Sequence, residues 1–175
     1  RKEVLDVTGK HGIPIFEDDC YADLRFEGED VTSFHSLDDA GRVVYAGSFS
    51  KIIAPGMRMG YLVAPKPVIA RAWSFKSGGA VSQFTALTIA EFMKGGLNQH
   101  IEVQNRALAA KRDAMVAALG ENFGGSVTWT VPQGGLYIWV KFPEGTDLAA
   151  VQEEIFHEGV SYYNGSQFSP TGEGS

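Results

Sequence analysis

At 175 residues, 44% hydrophobic and 11% aromatic, the chain can bury a core large enough for one domain or for one domain and part of a second. A formal net charge of -6 leaves no basic footprint for nucleic acid, and the single cysteine, Cys20, excludes an internal disulfide framework and suits a reducing compartment. No apolar run reaches membrane-spanning length, and residues 1–20 lack the apolar centre of a signal peptide, so the expected setting is the cytoplasm.

Arg1 to Lys10 reads as a helix with Val4, Leu5 and Thr8 on one face, closing near Gly9, with no capping residue ahead of it. That uncapped start and the loop-like Ser169-Pro-Thr-Gly-Glu-Gly-Ser175 give the expectation that the chain is a piece of a longer protein. Gly12 to Phe16 is an apolar strand run that stops at Glu17-Asp18-Asp19. A second run, Arg42 to Gly47, leads into Ser48-Phe49-Ser50-Lys51, and a third, Gly60 to Ala64, is closed by Pro65 and Pro67. Helix, apolar strand, then polar residues is the rhythm of an α/β sheet buried on both faces. Ligands of such sheets lie beyond the carboxyl ends of parallel strands, so the Asp18 and Lys51 clusters are expected to be neighbours.

Val68 to Phe75 reads as a helix broken by Gly78-Gly79, and Gln83 to Met93 as another, ended by Gly95-Gly96. His100 to Leu119 is a long amphipathic helix with Ile101, Val103, Leu108, Met115, Val116 and Leu119 as its apolar positions, expected to stop at Gly120. Beyond it Val127 to Val131 alternates, Pro132 to Gly135 turns and Leu136 to Val140 returns, which predicts a hairpin in a second, α+β unit. Leu148 to Glu158 adds a helix with Leu148, Val151, Ile155 and Phe156 facing inward. The domain boundary is expected inside or just after the long helix.

Asp18 and Tyr21, three positions apart just past a buried strand, can share one cleft; they also fit a solvated strand end and a packing tyrosine. A hard cation takes carboxylates, but beyond the Glu17-Asp18-Asp19 triplet no histidine lies close by in sequence, which ranks a metal low. Two hydroxyls ahead of Lys51 form a small-anion cradle beside an amine, or simply a Ser-rich turn with a surface lysine. Arg58, among apolar residues between Gly56 and Gly60, needs an anion, and a phosphate suits its planar fork. Cys20 is expected to be a buried, inert thiol, and Met57 and Met59 core positions.

Taken together, Glu17-Asp-Asp-Cys-Tyr21, Gly47-Ser-Phe-Ser-Lys51, Ala54-Pro-Gly-Met-Arg-Met-Gly-Tyr61 and Pro132-Gln-Gly-Gly-Leu-Tyr-Ile-Trp139 resemble the class I/II aminotransferases of pyridoxal 5'-phosphate (PLP) fold type I. The resemblance is to the branch holding 2-aminoadipate, aromatic and branched-chain aminotransferases, a branch shared with the aminotransferase-like domains of MocR/GabR-type regulators. It spans nearly the whole chain in the family's order. It implies an α/β fold: residues 1–97 as the later half of a PLP-binding large domain with a mostly parallel sheet, 98–122 as a connecting helix, and 123–175 as the beginning of an α+β small domain.

It further implies that Lys51 forms the Schiff base with PLP, that Asp18 pairs with the pyridine nitrogen, that Tyr21 bonds the ring's phenolic oxygen, and that Ser48, Ser50 and Arg58 hold the phosphate. PLP acts as an electron sink only while its ring nitrogen keeps a proton, which a neighbouring carboxylate secures. The implied activity is transfer of an amino group from an L-amino acid to a 2-oxo acid by a homodimeric enzyme. In the family, a glycine-rich phosphate loop, a ring-stacking aromatic and an asparagine come from upstream, and the arginine for the substrate carboxylate comes from downstream. The chain by itself is therefore expected to be inactive. A ligand-sensing domain of a transcriptional regulator and an inactive scaffold are the alternatives, and the substrate is not legible.

Overall fold

A computed structural model describes residues 1–172. The chain divides into two compact units, one of Arg1–Lys111 with Gln133–Leu136, the other of Arg112–Pro132 with the residues from Tyr137 onward.

The sheet of the first unit follows α1 (Lys2–Lys10) and has the order β1 (Ile15–Asp18), β2 (Val43–Ser48), β3 (Gly60–Val63). β1 and β2 run parallel, Ile15 opposite Val43 and Asp18 opposite Ala46. β3 returns antiparallel, with Gly60 opposite Ser48 and Val63 opposite Tyr45. The expectation of a mostly parallel sheet thus holds for one of the two pairings. The reason is the connection: residues 49–59 carry a 3-10 turn at Pro55–Met57 and no helix, and a parallel crossover needs a longer, usually helical, link. The antiparallel return brings the start of β3 to the same end of the sheet as the last residues of β1 and β2.

β1 also lies further along than expected. Gly12, at a φ of 63°, turns the chain after α1, and the strand takes in Glu17 and Asp18. Alternation along the strand buries Glu17 at 7% exposure and leaves Phe16 at 67%, the reverse of what an apolar run suggests. Glu17 is buried because its carboxylate is satisfied. It accepts the backbone N–H groups of Phe34 (2.8 Å) and His35 (2.9 Å), at the start of α2 (Phe34–Leu37), and the Arg1 guanidinium at 3.1 Å. All four residues of β3 are exposed, so the expected burial on both faces is not met in this chain. The core of the unit is Leu5, Leu24, Val43, Ile52 and Ile89.

Asp38 fixes the approach to β2 by accepting the N–H groups of Val43 (2.7 Å), Ala40 (3.1 Å) and Arg42. Burial works to raise its pKa, and these three donors with the Arg42 charge outweigh burial and hold it below the usual carboxylate range. α3 (Lys66–Phe75) begins earlier than expected, because Pro67 falls in the first turn, where a missing N–H costs nothing. α4 (Gln83–Met93) is capped by Ser82, whose Oγ accepts Thr85 N–H at 3.4 Å.

α5 (Leu97–Phe123) runs through Gly120 instead of stopping there; one glycine costs a helix only about 1 kcal/mol, which a helix of 27 residues absorbs. Its inward stripe is Ile101, Gln104, Asn105, Leu108, Val116 and Leu119, whereas Val103 and Met115 are half exposed, contrary to expectation. In the second unit the hairpin shrinks to β4 (Thr128–Trp129) against β5 (Val140–Lys141), with Thr128 opposite Lys141, extended by Thr130 N–H donating to Trp139 O at 3.0 Å. The turn residues are drawn elsewhere. Gln133 O accepts the N–H groups of Phe26 (3.0 Å) and Glu27 (3.1 Å), and Gly135 N–H donates to Leu24 O at 2.8 Å, so Gln133–Leu136 belongs to the first unit. α6 (Leu148–His157) is capped by Asp147 Oδ1; Leu148 and Ile155 are half-buried, but Val151 and Phe156 are exposed, contrary to expectation. Ser169 and Gly172 close a turn, and the rest of the expected terminal loop, residues 173–175, lies outside the described residues.

Candidate functional site

The parallel pairing of β1 and β2 puts Asp18, the last residue of β1, level with Ala46, two residues before β2 ends at Ser48. The chain then turns: Ser50 N–H donates to Ser48 Oγ (3.2 Å), and Phe49 O accepts Ile53 N–H (2.9 Å) and Ala54 N–H (3.2 Å). Lys51 sits on this turn, half-buried, and Ile52 anchors it by burial to 6% exposure. Lys51 Nζ lies 5.8 Å from the centroid of the Tyr21 ring, a cation–π distance. Two segments far apart in sequence, the Asp18–Tyr21 end and the Lys51 turn, therefore meet at one end of the sheet.

Arg58 reaches the same end through β3. Phe49 N–H donates to Met59 O at 3.1 Å, and Gly60 pairs with Ser48, which leaves Arg58 two residues from the Ser48 pairing position. Its backbone is left-handed, with φ 49° and ψ 43°, the one non-glycine residue at positive φ among those described. That strained conformation throws the exposed guanidinium out of the turn, where it donates to Pro55 O at 3.3 Å. Neither Lys51 nor Arg58 forms an ion pair with a carboxylate among the described residues. Two cationic groups with two hydroxyls, a phenol and a carboxylate fit an anionic, phosphate-bearing ligand with a basic ring nitrogen and a carbonyl for the amine to attack.

Asp18 is exposed and accepts Cys20 N–H at 3.4 Å. The hydrogen bond from the Cys20 thiol to Asp18, followed by burial, pushes the thiol up to about 11. Cys20 is half-buried, Met57 and Met59 likewise. Behind the site Tyr45 is held protonated far above its ordinary range by burial first, then by hydrogen bonding to Asp19 and Tyr61. Gly47 has no side chain because the Tyr61 ring occupies that space: a Cβ there would lie 2.3 Å from Tyr61 Cζ.

Two further residues touch the site's frame. Gln104 Nε2 donates to Lys51 O at 2.7 Å, and Asn105 Nδ2 donates to Asp23 O and Arg25 O, both at 2.9 Å. Neither stands out in the sequence; the available signal is two amides at spacings that belong to the inward stripe between Ile101 and Leu108. The glycine pair at Gly134-Gly135 has a definite cause as well: a Cβ on Gly134 would meet Leu24 O at 2.6 Å, and Gly135 adopts a φ of 83°.

An α/β sheet that gathers an amine, a carboxylate, a phenol, hydroxyls and a guanidinium at the carboxyl end of its parallel strands defines the class: part of a PLP-dependent transferase of fold type I. The chain belongs to the aminotransferase class I and II family, which it matches over residues 1–174. It is 35% identical over 171 residues to aromatic-amino-acid aminotransferase 1 of Thermococcus litoralis, covering 96% of this chain and 41% of that one. It is 38% identical over 166 residues to the uncharacterized HTH-type transcriptional regulator YisV of Bacillus subtilis, covering 91% and 34%. Its fold superposes with a TM-score of 0.92, at 28% identity, on LysN, the alpha-aminoadipate aminotransferase of Thermus thermophilus complexed with N-(5'-phosphopyridoxyl)-L-leucine, covering 99% of this chain and 46% of that one. The chain thus spans less than half the length of the proteins it matches. No helix among the described residues is long and apolar enough to cross a membrane.

Proposed function

We propose that the whole protein carrying this chain is a PLP-dependent aminotransferase, cytoplasmic and homodimeric, moving an amino group from an L-amino acid to a 2-oxo acid. The observation that carries the reading is Lys51, an amine without a carboxylate partner among the described residues, on a turn at the carboxyl end of β2 and 5.8 Å from the Tyr21 ring. PLP, when bound, supplies an electron sink for charge released at the amino acid's α-carbon.

The chain's own residues supply the rest. Ser48, Ser50 and Arg58 grip a phosphate dianion, the hydroxyls as neutral donors and the guanidinium as the charge-assisted one. Asp18 would pair with the ring nitrogen and hold a proton on it by favouring the cationic form. Tyr21, whose ring lies 5.8 Å from Lys51 Nζ, would hydrogen-bond the ring's phenolic oxygen and wall the lysine on one side. The Lys51 amine would hold the cofactor through its aldehyde carbon, and as a base at the end of β2 it would move the proton at the amino acid's α-carbon.

The 38% identity to a regulator favours a second reading, in which the same site senses a ligand beside a DNA-binding segment. Single-turnover mixing of PLP-loaded full-length protein with a panel of L-amino acids tests the proposal. Transamination expects the bound cofactor's visible absorbance to be lost and stoichiometric 2-oxo acid to form, both absent in Lys51→Ala. Cofactor uptake with no 2-oxo acid from any donor refutes catalysis and leaves the sensor.

A further inference from the structure

The fold places two adjacent amides where the frame of the site is decided. Gln104 and Asn105 follow one another on α5, and both are half-buried on its inward stripe. Gln104 Nε2 donates to the carbonyl of Lys51 itself, at 2.7 Å. Asn105 Nδ2 donates to Asp23 O and Arg25 O, at and just beyond the 3-10 turn Ala22–Leu24 that Tyr21 initiates. One stretch of helix thereby ties down both walls of the site, the lysine turn and the tyrosine segment.

The other ends of the two amides argue against a packing role. Gln104 Oε1 and Asn105 Oδ1 are both buried without a hydrogen-bond partner among the described residues. Burying an amide oxygen without a donor is unfavourable, and an apolar residue between Ile101 and Leu108 would fill the stripe without that cost. What the amides contribute is therefore their N–H groups and the carbonyls these hold. A helix of 27 residues is stiff, with its own backbone ladder intact, so it makes a fixed rail for both attachments.

We propose that Gln104 and Asn105 are positioning residues that set the separation of the Lys51 amine from Tyr21 and Asp18. The inference rests on the reading of Lys51 as the cofactor-bearing residue. Neither amide touches substrate; Gln104 acts by fixing the Lys51 carbonyl, and with it the Cα from which the amine hangs. Releasing that carbonyl lets the turn relax about its other tethers, which include Phe49 N–H on Met59 O at 3.1 Å, Ser50 N–H on Ser48 Oγ at 3.2 Å and the buried Ile52.

The test uses the full-length, PLP-loaded protein with Gln104→Met, which keeps the chain length and removes the donor, and Asn105→Ser as a second variant that probes the other wall should the first not fold. The readouts are the pH titration of the bound cofactor's visible absorbance, kcat, and KM for the amino donor. Expected are retained cofactor, a titration midpoint moved by about half a pH unit or more because the amine's neighbours have shifted, and a kcat lower by about tenfold with KM changed by less than about twofold. A wild-type titration midpoint together with a wild-type kcat in either folded variant overturns the proposal, whatever the melting temperature does. A wild-type protein that shows no cofactor absorbance after PLP is added overturns the functional reading and this proposal with it, and is told apart because it is seen before any variant is made.

Discussion

Replacing Arg58 with glycine separates folding from cofactor capture, because the residue is unfavourable for the first and proposed to be needed for the second. Its φ of 49° and ψ of 43° lie in the left-handed region, which costs an L-residue with a Cβ about 1–2 kcal/mol. Glycine adopts that conformation freely but loses about 0.5–1 kcal/mol in chain entropy on folding. The exposed hydrogen bond to Pro55 O, at 3.3 Å, is long and adds little. The balance is a stability change between about zero and a gain of about 1.5 kcal/mol. The charge-assisted phosphate contact, by contrast, is worth about 1.5–3 kcal/mol, so PLP affinity falls by roughly 10- to 150-fold. Equilibrium unfolding in urea and a PLP titration of the full-length Arg58→Gly protein measure the two quantities separately. A marked loss of stability would show that the left-handed arginine is not strained. PLP affinity equal to wild type would show that the guanidinium does not hold the phosphate.

Asp18→Asn in the same protein is expected to lower kcat by roughly 100-fold or more while PLP occupancy stays full, since the carboxylate acts on the ring nitrogen and the phosphate grip is elsewhere; wild-type turnover at full occupancy defeats that role. Cys20, raised from 9.0 to about 11, holds about a hundredfold less thiolate at pH 8 than an unshifted thiol, so iodoacetamide should label it correspondingly slowly, and faster in Asp18→Asn; rapid labelling of the wild type contradicts the Asp18 contact. The Asp38 carboxyl is held below its unfolded value, so its contribution to stability is complete above a pH of about 3.9 and is lost as pH falls further, through its folded pKa. Urea midpoints of wild type and Asp38→Asn should therefore converge as pH drops below that value, and a gap independent of pH would remove the carboxylate's charge from the explanation.

The lysine turn was legible because its chemistry is concentrated: hydroxyls, amine and a guanidinium among apolar residues stand out against ordinary α/β punctuation. That the Asp18 and Lys51 clusters are neighbours followed from chain direction, and the parallel register of β1 and β2 with the Lys51–Tyr21 approach puts both at one end of the sheet. The orientation of β3 was not legible, since an apolar run reads the same in either direction and only the helix-free connection after Lys51 decides it. Glu17 misled the placement of β1 because a carboxylate ordinarily ends a buried strand. Here the backbone N–H groups of Phe34 and His35, seventeen and eighteen residues away, satisfy it. Gly120 misled for a similar reason: the sequence offers a stop, and the rest of a long helix overrides it. The shortened hairpin has its cause in Gln133–Leu136 bonding to Leu24, Phe26 and Glu27, contacts between segments far apart in sequence that no local pattern announces. Gln104 and Asn105 stayed hidden because a polar residue on a helix reads as solvent-facing until the partner carbonyl is known.

The central claim is that Lys51 is the residue joined to PLP. Borohydride reduction of the PLP-loaded full-length protein, followed by proteolysis and peptide mass mapping, tests it most directly. The phosphopyridoxyl mass is expected on the peptide containing Lys51, and is expected to be lost in Lys51→Ala. The same mass on Lys66 or Lys76, with Lys51 unmodified, would contradict it.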